Sequence, residues 1–178
     1  MEKKQYSGTS LNTRISSASF INNDTLLVSR SCDRGAGSSG TVDCYSLYGI
    51  NVVTGKREAL IRAKQTSTGQ GVRYPSLFDS MPQYPNKIII TMNRMPQFPW
   101  RFRDLYWLDL DTKQTTKIAE VPDIKNEWHQ QWLIDHDGNA RGFITNHDDR
   151  KDREPNGARD GLYTYVYLMD PKTKKYSR

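Results

Sequence analysis

The chain repeats itself, and that repeat constrains its fold more than any other feature of the sequence. Three segments, Tyr48–Leu60, Leu105–Ile118 and Tyr163–Tyr176, each read as an alternating apolar strand, a tight polar turn and a second short strand. The turns sit at Thr54-Gly55, Asp111-Thr112 and Asp170-Pro171, a period of about 58 residues. Upstream of each lies a matching pair of strands. These are Ser19–Ser29 around Asn22-Asn23-Asp24, Leu77–Thr91 with a longer turn, and Trp132–Thr145 around Asp137-Gly138. Val, Ile, Thr and Tyr dominate these strands, as pleated sheets prefer. No helical periodicity competes: the stretch 59–65 is too short, and 126–133 alternates as well as it spirals.

Repeated four-stranded meanders are the pattern of propeller blades. The expected fold is all-β: a partial β-propeller of about three four-stranded antiparallel blades over residues 12–65, 72–122 and 127–178. A sandwich or barrel of short strands leaves the repeat unexplained. Propellers close with roughly 4–8 blades, so three do not close a ring. The chain is therefore expected to be a fragment of a longer propeller, with an orphan strand around Gln5–Leu11, or to close by self-association, two chains giving six blades. Blades stack through apolar strands, here Ile88–Ile90, Leu105–Leu110 and Tyr163–Leu168, and an isolated run of blades is expected to expose two such faces.

Composition narrows the function classes. An aromatic content of 11% is too high for a disordered chain, and 12 Gly with 8 Pro in 178 residues excludes a collagen-like one. No run approaches the length of apolar sequence that spans a bilayer, so no membrane span is expected, and Met1–Tyr6 shows no apolar signal region. The net charge of +6 permits an anionic partner. Acids and bases alternate, however, as in Lys151-Asp152-Arg153-Glu154, which is the pattern of a solvated surface.

The segments Ile21–Val28 and Tyr48–Gly55 resemble a blade of the N-terminal propeller in prolyl-oligopeptidase-family serine hydrolases. Asp104–Lys113 followed by Trp132–Asn139 does so as well. TolB-like periplasmic propellers share much of the pattern. The first resemblance implies a non-catalytic propeller that controls substrate access in a peptidase or hydrolase. Its partners would then be the missing blades and an α/β-hydrolase domain of the same parent chain, with a peptide as substrate. The second implies a protein- or ligand-binding scaffold. A periplasmic or secreted location is favoured over a cytoplasmic one. A third class, a propeller enzyme acting on glycans, needs inward carboxylates around a central pocket.

No catalytic residue, cofactor site or metal site is assigned from the sequence. The nearest string to a Gly-x-Ser-x-Gly elbow, Ala36–Gly40, lies between two strands rather than between a strand and a helix. Gly35–Gly40 matches Gly-x-Gly-x-x-Gly but lacks the leading apolar strand and following helix of a dinucleotide site. Cys32 and Cys44 flank that same loop. They are expected either to form a cross-strand disulfide in an oxidising compartment or to remain two thiols. His136 in Asp135–Gly138 reads as a turn rather than a calcium loop. Glu127-Trp128-His129 and Asn146–Asp149 gather ligand-type residues, but neighbours on a strand point to opposite faces, so a shared metal is not expected.

The repeats differ most between their second and third strands, where extra residues fall at 30–41, 94–103 and 147–160. Insertions on one face of a repeat array often mark the binding face. The candidates there are Arg94, Trp100, Arg101, Arg103, Arg150 and Arg153. Arg pairs with carboxylates and phosphates and stacks on aromatics, so an anionic or peptide partner fits. Nucleic acid is not favoured, because no recognised nucleic-acid motif accompanies the basic residues.

Overall fold

In the computed structural model the described residues are 13–32, 46–62, 75–93, 103–125, 127–148 and 162–178. They form twelve strands: β1 (Thr13–Phe20), β2 (Thr25–Cys32), β3 (Ser46–Asn51), β4 (Arg57–Ile61), β5 (Pro75–Asp79), β6 (Lys87–Asn93), β7 (Arg103–Asp109), β8 (Thr115–Ala119), β9 (Glu127–Ile134), β10 (Ala140–Asp148), β11 (Leu162–Met169) and β12 (Tyr176–Ser177). The strands pair in chain order into three four-stranded antiparallel meanders, β1–β4, β5–β8 and β9–β12. The chain is thus all-β, a partial propeller of three consecutive blades. Residues 127–133 form strand, within β9, and the strand expected around Gln5–Leu11 lies outside the described residues.

One turn is built three times. Asn51 Oδ1 accepts hydrogen bonds from the backbone N–H of Val53 and Thr54, at 3.1 and 2.8 Å. Asp109 Oδ1 does the same for Asp111 and Thr112, at 3.1 and 2.8 Å. Asp170 Oδ1 does so for Lys172 and Thr173, at 2.7 and 3.0 Å. Each turn then closes through a residue at positive φ: Gly55 at 69°, Lys113 at 61° and Lys174 at 56°. These side-chain acceptors mimic a backbone turn and fix the hairpin register. They also correct the alignment expected from the sequence, because the equivalent residues are Thr54, Thr112 and Thr173 rather than Thr54, Asp111 and Asp170. The repeat is anchored by the residue that accepts the bonds, which precedes the turn dipeptide in the first two repeats and opens it in the third.

The sheets stack face to face. The second sheet lies in the middle: Ile88 and Ile90 share a core with Leu27, Leu47 and Leu60 of the first sheet. On its opposite face, Ile89 and Leu105 share a core with Trp132 and Phe143 of the third. Strand alternation explains this, since successive side chains leave opposite faces. β6 therefore reads as a near-continuous apolar run, buried from Ile88 to Asn93. The outer faces of the other two sheets carry exposed apolar side chains, Ile15 and Phe20 on the first and Val166 and Leu168 on the third.

Two turn contacts hold the stack in register. The Lys113 ammonium pairs with Glu58 between the first and second sheets. The Gln83 amide donates to the His136 carbonyl between the second and third. Gly138, at φ +79°, lets the β9–β10 turn lie against the second sheet, since a Cβ there would sit 2.5 Å from Trp107 Cζ2.

Candidate docking face

All three connections between second and third strands leave from one end of the stack. β2, β6 and β10 end there, and β3, β7 and β11 begin there. The opposite end holds the Asn and Asp turns, between the first two sheets a cleft of about 260 Å³ lined by Asn51, Glu58, Asn86 and Asp111 among others. Of the sequence-derived candidates, Arg94, Trp100, Arg101, Arg150 and Arg153 lie outside the described residues, as does Cys44. Cys32 is the last residue of β2, and its side chain is likewise outside the described set. Arg103 opens β7 at this end of the stack and is half-buried.

At this end of the stack, between the second and third sheets, lies a layer of buried polar side chains. The Glu127 carboxylate accepts from Thr145 Oγ1 at 2.6 Å and from the Tyr167 hydroxyl at 2.9 Å. Burial, and then the bond to Glu127, pushes the Tyr167 phenol up to about 12, so it remains a donor throughout the ordinary pH range. Asp104, opposite Met92 and so on the face of β7 turned to the first sheet, is also buried; it accepts from the Val121 N–H at 3.2 Å, with the Lys117 ammonium 3.7 Å from its other oxygen. The Trp132 indole donates to the Arg103 carbonyl at 2.7 Å, joining the third sheet to the second. A carboxyl group whose two oxygens each accept from a hydroxyl is a satisfied buried polar group.

His129 stands apart within this layer. It is 5% exposed, with its ring 5.1 Å from that of Trp132 and 6.2 Å from that of Phe143. Among the described residues neither ring nitrogen has a hydrogen-bond partner. Burial in these aromatic surroundings, reinforced by the Arg103 charge and opposed by Asp104, pulls the imidazole down to about 4. It is therefore neutral at pH 7 and offers one donor and one acceptor nitrogen.

The sequence reasoning missed this layer for an identifiable reason. It treated Glu127-Trp128-His129 as three neighbours on alternating faces. Glu127 and His129 are two apart, however, so both turn toward the second sheet, while Trp128 sits opposite Asn146 on the other face. The spacing carried that signal. The contributions of Thr145 and Tyr167 depend on strand register across β9, β10 and β11, which no local pattern carries. Among the described residues no group of three or more His, Cys, Asp or Glu side chains is placed to share a metal ion.

No family model matches the chain, and no curated protein sequence does. Two solved structures show a likeness. An oligogalacturonate lyase in complex with manganese aligns at 13% identity and a TM-score of 0.46, over 85% of this chain and 32% of its own. TolB from Acinetobacter baumannii aligns at 17% identity and a TM-score of 0.35, over 86% of this chain and 37% of its own. The chain spans about a third of the length of each.

Proposed function

We propose that the chain is a non-catalytic propeller scaffold that docks an acidic peptide or protein segment at the end where its second and third strands are joined. One arrangement supports this reading. The Arg-bearing connections all join strands that end on the same side of the stack, the side at which the buried carboxylates Asp104 and Glu127 are already held by this chain. Arginines carried by connections that begin and end on one side of such a stack suit a carboxylate-bearing partner. The test is titration calorimetry with a Glu-rich decapeptide and a Lys-rich decapeptide of equal length. Only the acidic peptide is expected to bind, more weakly as salt rises. Arg101→Glu with Arg150→Glu is expected to weaken that binding at least tenfold. Equal binding of both peptides, or an unchanged affinity in the variant, defeats the reading.

A more specific form follows from the resemblance of Ile21–Val28, Tyr48–Gly55, Asp104–Lys113 and Trp132–Asn139 to the propellers of prolyl-oligopeptidase-type hydrolases. In that form the scaffold gates access to an α/β-hydrolase domain of the same parent, and the docked segment is a peptide substrate. An α/β-hydrolase domain encoded directly after residue 178 supports it. A different downstream domain leaves the general scaffold reading in place and removes the gating one.

A further inference from the structure

The face of the third sheet that packs on the second is well covered at β9 and β10, where Glu127, His129, Phe143 and Thr145 are all buried. On β11 the strand alternation puts Tyr163, Tyr165 and Tyr167 on this same face, since Tyr167 lies opposite Phe143 of the core shared with the second sheet. Tyr167 and Tyr165 are half-buried, whereas Tyr163, near the start of the strand, is 50% exposed. Cover therefore runs out along β11 toward the end where second and third strands are joined, and the ring it leaves open is a tyrosine.

Tyr163 belongs to a group of planar side chains. Its ring is nearly parallel to that of Tyr165, at 8°, with the centroids 6.3 Å apart. The Arg178 guanidinium stands 3.1 Å from the centre of the Tyr165 ring, and the His147 imidazole 5.8 Å from it. A guanidinium so placed occupies the negative face of Tyr165, while Tyr163 keeps ring surface in solvent. His147 lies directly opposite Tyr163, so this patch sits where the connection carrying Arg150 and Arg153 leaves β10 and returns to β11. Exposed aromatic surface and a positive charge thus stand side by side at the docking end.

We propose that Tyr163 and Arg178 form a subsite for a Glu-Pro step of the docked acidic segment, the proline ring lying against Tyr163 and the neighbouring carboxylate meeting the Arg178 guanidinium. The inference rests on the docking reading and names the chemistry of its partner. Proline fits this corner for two reasons. Its ring C–H groups, next to an amide nitrogen, are partly positive and suit the negative face of a tyrosine. Its fixed φ keeps an acidic segment extended before it docks, so less freedom is lost on binding. A guanidinium that lies flat on a ring still points its N–H groups outward, where a carboxylate accepts from them.

The test is titration calorimetry of the whole 178-residue chain with three Glu-rich decapeptides of equal charge, whose central residue is Pro, Ala or Phe. The proline peptide is expected to bind about fivefold more tightly than the alanine peptide, and more tightly than the phenylalanine one. Tyr163→Ala is expected to bring the proline peptide down to the level of the alanine peptide, and Tyr163→Phe to keep the preference. Arg178→Gln is expected to weaken all three while leaving the preference in place. Tyr163 and Arg178 are both exposed, and an unchanged circular dichroism spectrum confirms folding of each variant. If none of the peptides binds the wild-type chain, the docking reading fails and the subsite with it. If all three bind equally, if the phenylalanine peptide binds most tightly, if the proline preference survives Tyr163→Ala, or if Arg178→Gln changes nothing, the subsite alone is overturned and the docking reading stands.

Discussion

The second and third sheets share strand order, turn chemistry and the tyrosine opposite a bulky apolar partner, yet they bury very different amounts of surface. In the second, β6 and β7 are covered from both sides, with Ile88, Ile89, Ile90, Leu105 and Leu108 almost wholly out of water. In the third, only the face bearing Trp132 and Phe143 is covered, and Val166 and Leu168 meet solvent. The same local sequence grammar thus yields a three-layer centre and a two-layer edge. What separates them is whether another sheet follows, not anything within the strand. Most of the hydrophobic contribution to stability accordingly lies in the two internal interfaces.

The largest way to break this comparison is to empty the two equivalent positions in turn. Leu105→Ala is expected to cost about 3 kcal/mol, transfer and cavity together, because nothing can collapse into a site closed on both sides. Val166→Ala at the equivalent position is the opposite extreme, because that side chain is 47% exposed. Urea unfolding followed by circular dichroism measures both.

Next in size is an acid effect confined to the buried layer. The folded state holds His129 at about 4, against an ordinary value of 6.5. The unfolded chain therefore binds a proton that the folded chain refuses, and stability rises with pH through that interval. The full contribution is present above pH 6.5 and is lost as pH falls toward 4, a loss of about 3 kcal/mol. Urea midpoints at pH 7 and pH 4.5 are expected to differ accordingly, and His129→Phe is expected to flatten that limb. The turn carboxylates Asp109 and Asp170 are held below their ordinary range by the N–H groups of their turns. They add stability only above the usual carboxylate range and lose it at lower pH still, so the histidine window reads separately.

Gly138→Ala tests how the edge sheet is seated on the central one. The new methyl meets Trp107 and forces an unfavourable positive φ, so a cost of about 2 kcal/mol is expected. Fluorescence of Trp107 reports the same displacement. The smallest effect is Val166→Ala, expected to cost under about 1 kcal/mol because the side chain is half exposed. A cost equal to that of Leu105→Ala means the edge face is already covered within one chain, and the contrast between the two sheets disappears.

Much of the fold was legible residue by residue. Alternation in Leu105–Leu110 and Tyr163–Leu168 gave strands, and the polar dipeptides gave hairpins. The spacing of the three turns gave the repeat, although its anchor proved to be Asn51, Asp109 and Asp170. The candidate site was legible only in part. Arg103, read from the sequence as the last residue of the 94–103 connection, is instead the first residue of β7, while the other arginines lie outside the described residues. The Glu127–Thr145–Tyr167 cluster was not legible, because its members come from three strands and meet only through register.

The sequence alone therefore determined what is local: the period, the strands and the side chains that accept the turn hydrogen bonds, since each depends on residues a few positions apart. Tertiary structure decided which apolar faces are covered and where a histidine loses its water. It also decided that Glu127 finds two hydroxyl donors. These outcomes depend on stacking and cross-strand register, which bring together residues as distant as Glu127 and Tyr167, and burial sets their energies only once the sheets have met.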